Sequence, residues 1–221
     1  MELAVLPLLF LIVPPALALA AIFGLPRLIE RRRQNVYAVF CLSRGYQYVS
    51  SRRGAEAQYA DVVGMFKIGS RHKWRDEISG VFNGRPLTAF EYQYVSGTGR
   101  FQAAYNKAMI HWQVDRASLP HFTMVPANTY LFRIGRTPED VDFPDDKAFS
   151  KAYIITGSDQ VAMRALFTPQ LRTALAAVPG LYVAAQAQDV FWWREGRLPG
   201  PGGFDAFLNE GDRVVNLFAG S

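Results

Sequence analysis

The chain has little of what metal or thiol chemistry needs: one cysteine, Cys41, and three histidines in 221 residues. One thiol excludes an intrachain disulfide and fits a reducing compartment. His72, His111 and His121 show no ligand spacing and Cys41 has no partner cysteine, so no metal motif can be named. Gly97-Thr98-Gly99-Arg100 lacks the strand before and helix after that a phosphate loop needs, because both flanks read as strands. Ser158, in Ile155-Thr156-Gly157-Ser158-Asp159, lacks the second glycine of a nucleophile elbow, and helix capping accounts for both Ser158 and Asp159. The acidic stretch Thr137 to Lys147 lacks the spacing and central glycine of a calcium loop. With no catalytic residue, metal ligand or cofactor site to assign, a non-enzyme is expected.

Charge is also missing from Leu3 to Leu25, and no Lys or Arg precedes that run. At about 1.5 Å per residue a helix over these residues spans a hydrocarbon core of roughly 30 Å. Arg27, Arg31, Arg32 and Arg33 follow it. The positive-inside rule then places the N-terminus outside and the main domain in the cytoplasm, at a cell inner membrane. A cleaved signal peptide is the rival reading, with Ala16-Leu17-Ala18 and Ala18-Leu19-Ala20 as cleavage-like triplets. Against it, the n-region is uncharged by Lys or Arg and the apolar run continues through Ile22-Phe23 into the arginines. A helix lying in or on another protein is a third reading. Pro7, Pro14 and Pro15 each remove a backbone donor. Pro14 and Pro15, at mid-span, mark a candidate contact with other membrane helices, where the freed carbonyls can find partners. The span holds no His, Cys or Tyr to ligate a haem-type pigment.

What is plentiful is apolar and aromatic: half of the residues are hydrophobic and 14% aromatic, enough for the core of a sizeable domain. The net charge of +5 draws on the juxtamembrane arginines and on Arg52, Arg53, Arg71, Lys73 and Arg75. It suits anionic headgroups, with Arg27, Arg31, Arg32 and Arg33 as membrane-surface residues. No nucleic-acid recognition motif accompanies it. The expected organisation is an anchor and basic segment over 1–33 and an α+β domain over 34–221, with a possible sub-boundary near 136–148.

Within the domain, Glu30 to Gly45 continues as a helix and Ala55 to Phe66 forms a second. The period then changes to two. Asn83-Gly84 joins the strands Ile78–Phe82 and Leu87–Val95, with Phe90, Tyr92 and Tyr94 on one face. Phe101–Val114 and Phe122–Val125 complete an antiparallel meander, and Leu131–Ile134 adds a short strand. Strand Lys151–Thr156, two helices, a hairpin of Leu181–Ala185 with Asp189–Arg194, and a terminal helix Phe204–Phe218 follow. Adjacent Trp192 and Trp193 point to opposite faces of their strand, so one of them is a candidate exposed anchor. Tyr37 and Phe40 are the other candidate partner contacts.

Tyr153-Ile154-Ile155-Thr156-Gly157-Ser158-Asp159, then Ala165-Leu166-Phe167-Thr168-Pro169-Gln170-Leu171 and Pro179-Gly180-Leu181, resembles a pattern of uncharacterised bacterial single-pass membrane-anchored proteins. The resemblance implies an anchor plus an α+β domain and brings no activity. The function expected from these features is a non-catalytic accessory or structural subunit of a larger membrane complex, with an energy-transducing one, respiratory or photosynthetic, as a candidate. Its partners would be membrane lipids and other membrane-protein subunits. A membrane-tethered enzyme or ligand-binding domain is the alternative, which a deep pocket of converging polar side chains would favour.

Overall fold

The computed structural model describes residues 5–115, 118–129 and 140–219, and for residues 5–23 the backbone alone. The backbone opens with one helix, α1, Val5–Arg44, which stays helical through positions 14 and 15. Among the described residues no helix is long and apolar enough to cross a membrane. The side chains that carry the expected span, those of Pro7, Pro14 and Pro15 included, lie outside the described residues, as does the strand expected over 131–134.

The rest is an α+β domain around one antiparallel sheet. Its strands are β1 (Gln47–Arg52), β2 (Ser70–Phe82), β3 (Arg85–Ser96), β4 (Ala103–Gln113), β5 (Leu119–Pro126), β6 (Tyr153–Thr156), β7 (Tyr182–Ala187) and β8 (Asp189–Glu195). Their order is β1-β2-β3-β4-β8-β7-β5-β6. Asn83 and Gly84 both take positive φ, 51° and 78°, as a tight hairpin turn between β2 and β3 requires. The expected meander ends at β4. Strand β5 does not pair with it but crosses to the far end, between β6 and β7, and β8 takes the place beside β4.

Two expected elements differ. Over 55–66 the chain makes two short 3-10 turns, Ala55–Tyr59 and Gly64–Lys67, instead of one helix. Val62, Val63 and Phe66 still face the sheet, so the apolar spacing reports burial there and not helix type. The strand expected from Lys151 begins at Tyr153. Asp146 accepts a hydrogen bond from the Phe149 amide at 3.0 Å and so caps a helix, α2, Lys147–Ala152.

Helices α3 (Gln160–Leu166), α4 (Pro169–Ala176) and α5 (Pro201–Ala219) join α1 and α2 on one sheet face. Helix α5 buries Phe204, Phe207, Leu208, Val214, Val215 and Phe218. It sits close because Gly211 has no side chain: a Cβ there would stand 2.9 Å from both Ile110 Cδ1 and Trp192 Cε3. The other face carries a second core of Trp74, Phe90, Tyr92, Tyr94, Phe191 and Trp193, covered by the two 3-10 turns.

Candidate functional site

Among the polar clusters of the described residues, two bear on what the fold can do. The first ties α1 to the sheet. Arg33 Nη2 donates to Glu91 Oε2 at 2.5 Å and lies 3.0 Å from Asp76 Oδ2. Both carboxylates belong to fully buried residues. Asp76 sits at a bulge of β2 with φ 49°, and Tyr48 donates to its Oδ1 at 2.6 Å. The Leu198 amide donates to Glu91 at 3.3 Å. Two carboxylates thus share one guanidinium. Burial lifts the Asp76 carboxyl above its ordinary value, against the pull of Tyr48 and Arg33. One helical turn back, burial would raise Glu30, but its hydrogen bond and charge pairing with Arg75 prevail and hold its carboxyl below the usual value. Tyr37 donates to the carbonyls of Leu198 and Pro199 at 2.9 and 3.0 Å. Together these contacts fix the direction in which α1 leaves the domain.

This corrects several sequence expectations. Arg27, Arg31 and Arg32 are exposed, but Arg33 turns inward because two buried carboxylates need its charge. Tyr37 and Phe40 are spent inside the chain, Tyr37 on the α5 approach and Phe40 against the Phe204 ring at 5.5 Å. Neither Trp192 nor Trp193 is exposed: Trp192 lies under α5, and Trp193 lies in the core on the opposite face. Pro14 and Pro15 lie on the α1 backbone, with side chains outside the described residues. Cys41 is buried, which pushes its thiol up to about 11 and leaves it unreactive.

The second place is a cavity of about 320 Å³ between the 3-10 cover and the sheet. Val63, Met65 and Ile68 of the cover and Val125, Tyr182 and Trp193 of the sheet make it largely apolar. The strand register brings its polar end together. Tyr92 stands opposite Lys107, Tyr94 is two residues along on the same face, and Lys107 stands opposite Glu195 on β8. The Lys107 ammonium, on a side chain 7% exposed, donates to Glu195, whose side chain is 55% exposed. The Tyr94 hydroxyl is buried without a hydrogen-bond partner, and burial raises its pKa to about 12, so it stays protonated and able to donate. Among the described residues the buried polar atoms without a partner include this hydroxyl, on the wall of the cavity, and Arg33 Nη1, whose residue borders a hollow of about 300 Å³ beside Leu198. A larger hollow of about 570 Å³ beside α2 is bordered by none of them.

Of the histidines weighed in the sequence, His121 also lines this cavity, with Thr123 and Thr156. Ser158 is exposed outside the cavity, and Asp159 caps α3, accepting from the Ala162 amide at 2.9 Å. His111 Nε2 pairs with Asp189 at 2.6 Å and is enclosed by the rings of Tyr59 and Phe191. Among the described residues no three metal-ligating side chains converge. Sequence reasoning missed Tyr94, Lys107 and Glu195 as a group. Alternation marks Tyr94 as inward, but nothing local says that a lysine on the next strand shares its pocket.

The fold and cavity define a class: a long N-terminal helix fixed to an eight-stranded antiparallel α+β domain with a one-sided apolar pocket. No protein-family model matches the chain, and no curated protein matches it. Among solved structures the fold is similar to that of the mycobacterial trehalose monomycolate transport factor A, TtfA, with a TM-score of 0.56, over 86% of this chain and 93% of that one, at 11% identity. This likeness speaks against the expected accessory subunit of an energy-transducing complex: the similar structure is a factor named for trehalose monomycolate transport, and at 11% identity the likeness is one of fold. A missing catalytic motif and a proline-bearing apolar run carry no information about which machinery a chain serves.

Proposed function

We propose that this chain is a membrane-anchored factor in lipid transport whose domain holds an amphiphile in the cavity beneath the 3-10 cover. The observation that carries the reading is a largely apolar, partly open cavity with a buried ammonium and an unpartnered phenol in its wall, on a domain whose fold is similar to that of a factor named for trehalose monomycolate transport. Pockets that bury small ligands have this character: apolar walls and a few placed polar groups, from roughly 300 Å³ upward. The uncharged run Leu3 to Leu25 supplies the anchor, continued by the exposed Leu25, Leu28 and Ile29 of α1. The exposed Arg27, Arg31 and Arg32 then meet the cytoplasmic headgroups. The clamp at Arg33 holds the domain in a set direction above that surface.

The test compares the full chain with Gly64→Phe, both extracted from their native membrane in mild detergent. Gly64 lines the cavity at its exposed rim and a Cβ there meets nothing within 4 Å, so a ring is accommodated at the cavity mouth without a clash. Mass spectrometry of the bound lipid should find an amphiphile at near-equimolar amount on the wild type and little on the variant. Equal lipid on both would sink the reading. Alkaline carbonate should leave the full chain in the membrane and release a chain lacking residues 1–33; release of both would remove the anchor.

A further inference from the structure

The ligand's chemistry can be taken further, on the strength of the lipid-cavity reading above. We infer that the polar end of the cavity is an oxyanion subsite. A single-chain amphiphile lies along Val63, Met65, Ile68 and Trp193, and its carboxylate or phosphate replaces Glu195 on Lys107 while accepting a hydrogen bond from Tyr94.

Three features of the cavity lead there. The first is an asymmetry within the Lys107–Glu195 pair: the cation is buried and its carboxylate stands half in water. Losing the pair strands a buried ammonium, whereas Glu195 can swing out and be solvated. A ligand oxyanion entering from the apolar side keeps the ammonium paired. An ammonium has three protons to donate, and the hydrogen bond that Lys107 makes among the described residues uses one of them. The second is the unpartnered Tyr94 hydroxyl. A buried donor without an acceptor is costly, and the register sets it on the same face as Lys107, one strand over. Ammonium and phenol together form a donor-rich corner that asks for an acceptor-rich group. The third is size. At about 320 Å³ the cavity lies at the lower end of the range of roughly 300–1,000 Å³ for small-molecule pockets, which suits one chain and not a whole two-chain lipid.

The experiment uses the full chain in phosphatidylcholine nanodiscs. All four tryptophans lie in the domain, so a bromine-labelled dodecanoic acid that quenches their fluorescence reports entry to the cavity beside Trp193. Unlabelled dodecanoic acid, dodecyl phosphate and dodecanol then compete with it. The acid and the phosphate ester should displace the probe, and their relative strength identifies the head. Dodecanol should be about tenfold weaker, the value of one charge-assisted hydrogen bond. Lys107→Met should weaken the acid about tenfold and leave dodecanol unchanged, and Tyr94→Phe should weaken the acid about threefold. Glu195→Gln should tighten the acid, because the competing carboxylate is gone; its exposed position keeps this arm informative if Lys107→Met fails to fold. Equal competition by acid and alcohol, or weaker acid binding by Glu195→Gln, would overturn the oxyanion subsite and leave the lipid cavity standing. If neither acid nor alcohol gives saturable quenching or displacement, the cavity reading fails and the subsite with it.

Discussion

The two faces of the sheet are closed in opposite ways. On one, five helices bury Ile110, Trp112, Phe122, Met124, Val190 and Trp192, and α5 comes in so closely that Gly211 cannot carry a Cβ without displacing a neighbour. On the other, an aromatic layer of Trp74, Phe90, Tyr92, Phe191 and Trp193 is covered by two 3-10 turns, and a cavity remains between cover and strands. The same strands supply both faces, so the difference lies in what covers them. A helix presents a continuous ridge of side chains that fills space. Two short turns stitched by the Asp61–Lys67 ion pair at 2.7 Å do not. Stability therefore concentrates on the helical face, and the cover is the part that opens at least cost.

Adjacent Trp192 and Trp193 test this directly, since they differ in face and little else. Trp192→Ala empties a filled site under α5 and should cost about 3–5 kcal/mol. Trp193→Ala only enlarges an existing cavity and should cost about 3 kcal/mol or less. Denaturant unfolding followed by near-ultraviolet dichroism measures both; equal losses would mean that the covered face is packed as tightly as the helical one. Next in size is the clamp. Arg33→Met leaves Asp76 and Glu91 buried without their cation, and should cost about 3 kcal/mol, near the lower edge for broken buried pairs because either carboxyl can take up a proton. Hydrogen exchange should rise in residues 30–44 before it rises in β3 and β4. Smaller again is Gly64→Phe, which should shift the midpoint by less than about 0.5 kcal/mol, the scale for changes that create no cavity, clash or stranded charge. A large loss would mean that the cavity space is not free.

The strongest local signals in the sequence were the turns and the alternation. Asn83-Gly84 marked its hairpin, Phe90, Tyr92 and Tyr94 share the face their spacing implied, and the β7–β8 hairpin stands where the apolar runs placed it. Strand β1 went unseen because Gln47–Arg52 is polar and mostly exposed at the sheet edge, with no buried face to impose a period of two. Strand β5 was expected to continue the meander, but pairing across the sheet is a non-local choice that no turn residue announces. Arg33 was read with its basic neighbours, since the carboxylates that claim it lie 43 and 58 residues further on. The cavity was illegible for the same reason: Tyr94, Lys107 and Glu195 come from three strands, and each alone reads as an ordinary inward or edge residue. Trp192 and Trp193 were correctly assigned to opposite faces. What alternation could not supply was that both faces are covered.

The smallest expected effect lies in how the clamp responds to pH. Asp76 is faced by Arg33 and Glu30 of α1, by Tyr48 of β1 and by Glu91 of β3. Burial raises its carboxyl in the folded chain above the unfolded value near 3.8. From about pH 4 up to that raised value the folded state therefore holds a proton that the unfolded state has released. Stability falls as pH rises through this window and levels off above it. Glu30 has the opposite sign, since its folded value is lowered: its contribution is present above the ordinary carboxyl range and is lost as pH falls through the lowered value. Asp76→Asn keeps an acceptor for Tyr48 and removes the titration together with the charge that faces Arg33, a loss that is the same at every pH at which wild-type Asp76 is ionised. Its melting temperature relative to wild type should thus climb from about pH 4 up to the raised value and then run parallel. A constant difference across that range would mean that Arg33 keeps Asp76 ionised in the fold, and that the helical face has a fully paired clamp where the structure places two carboxylates on one guanidinium.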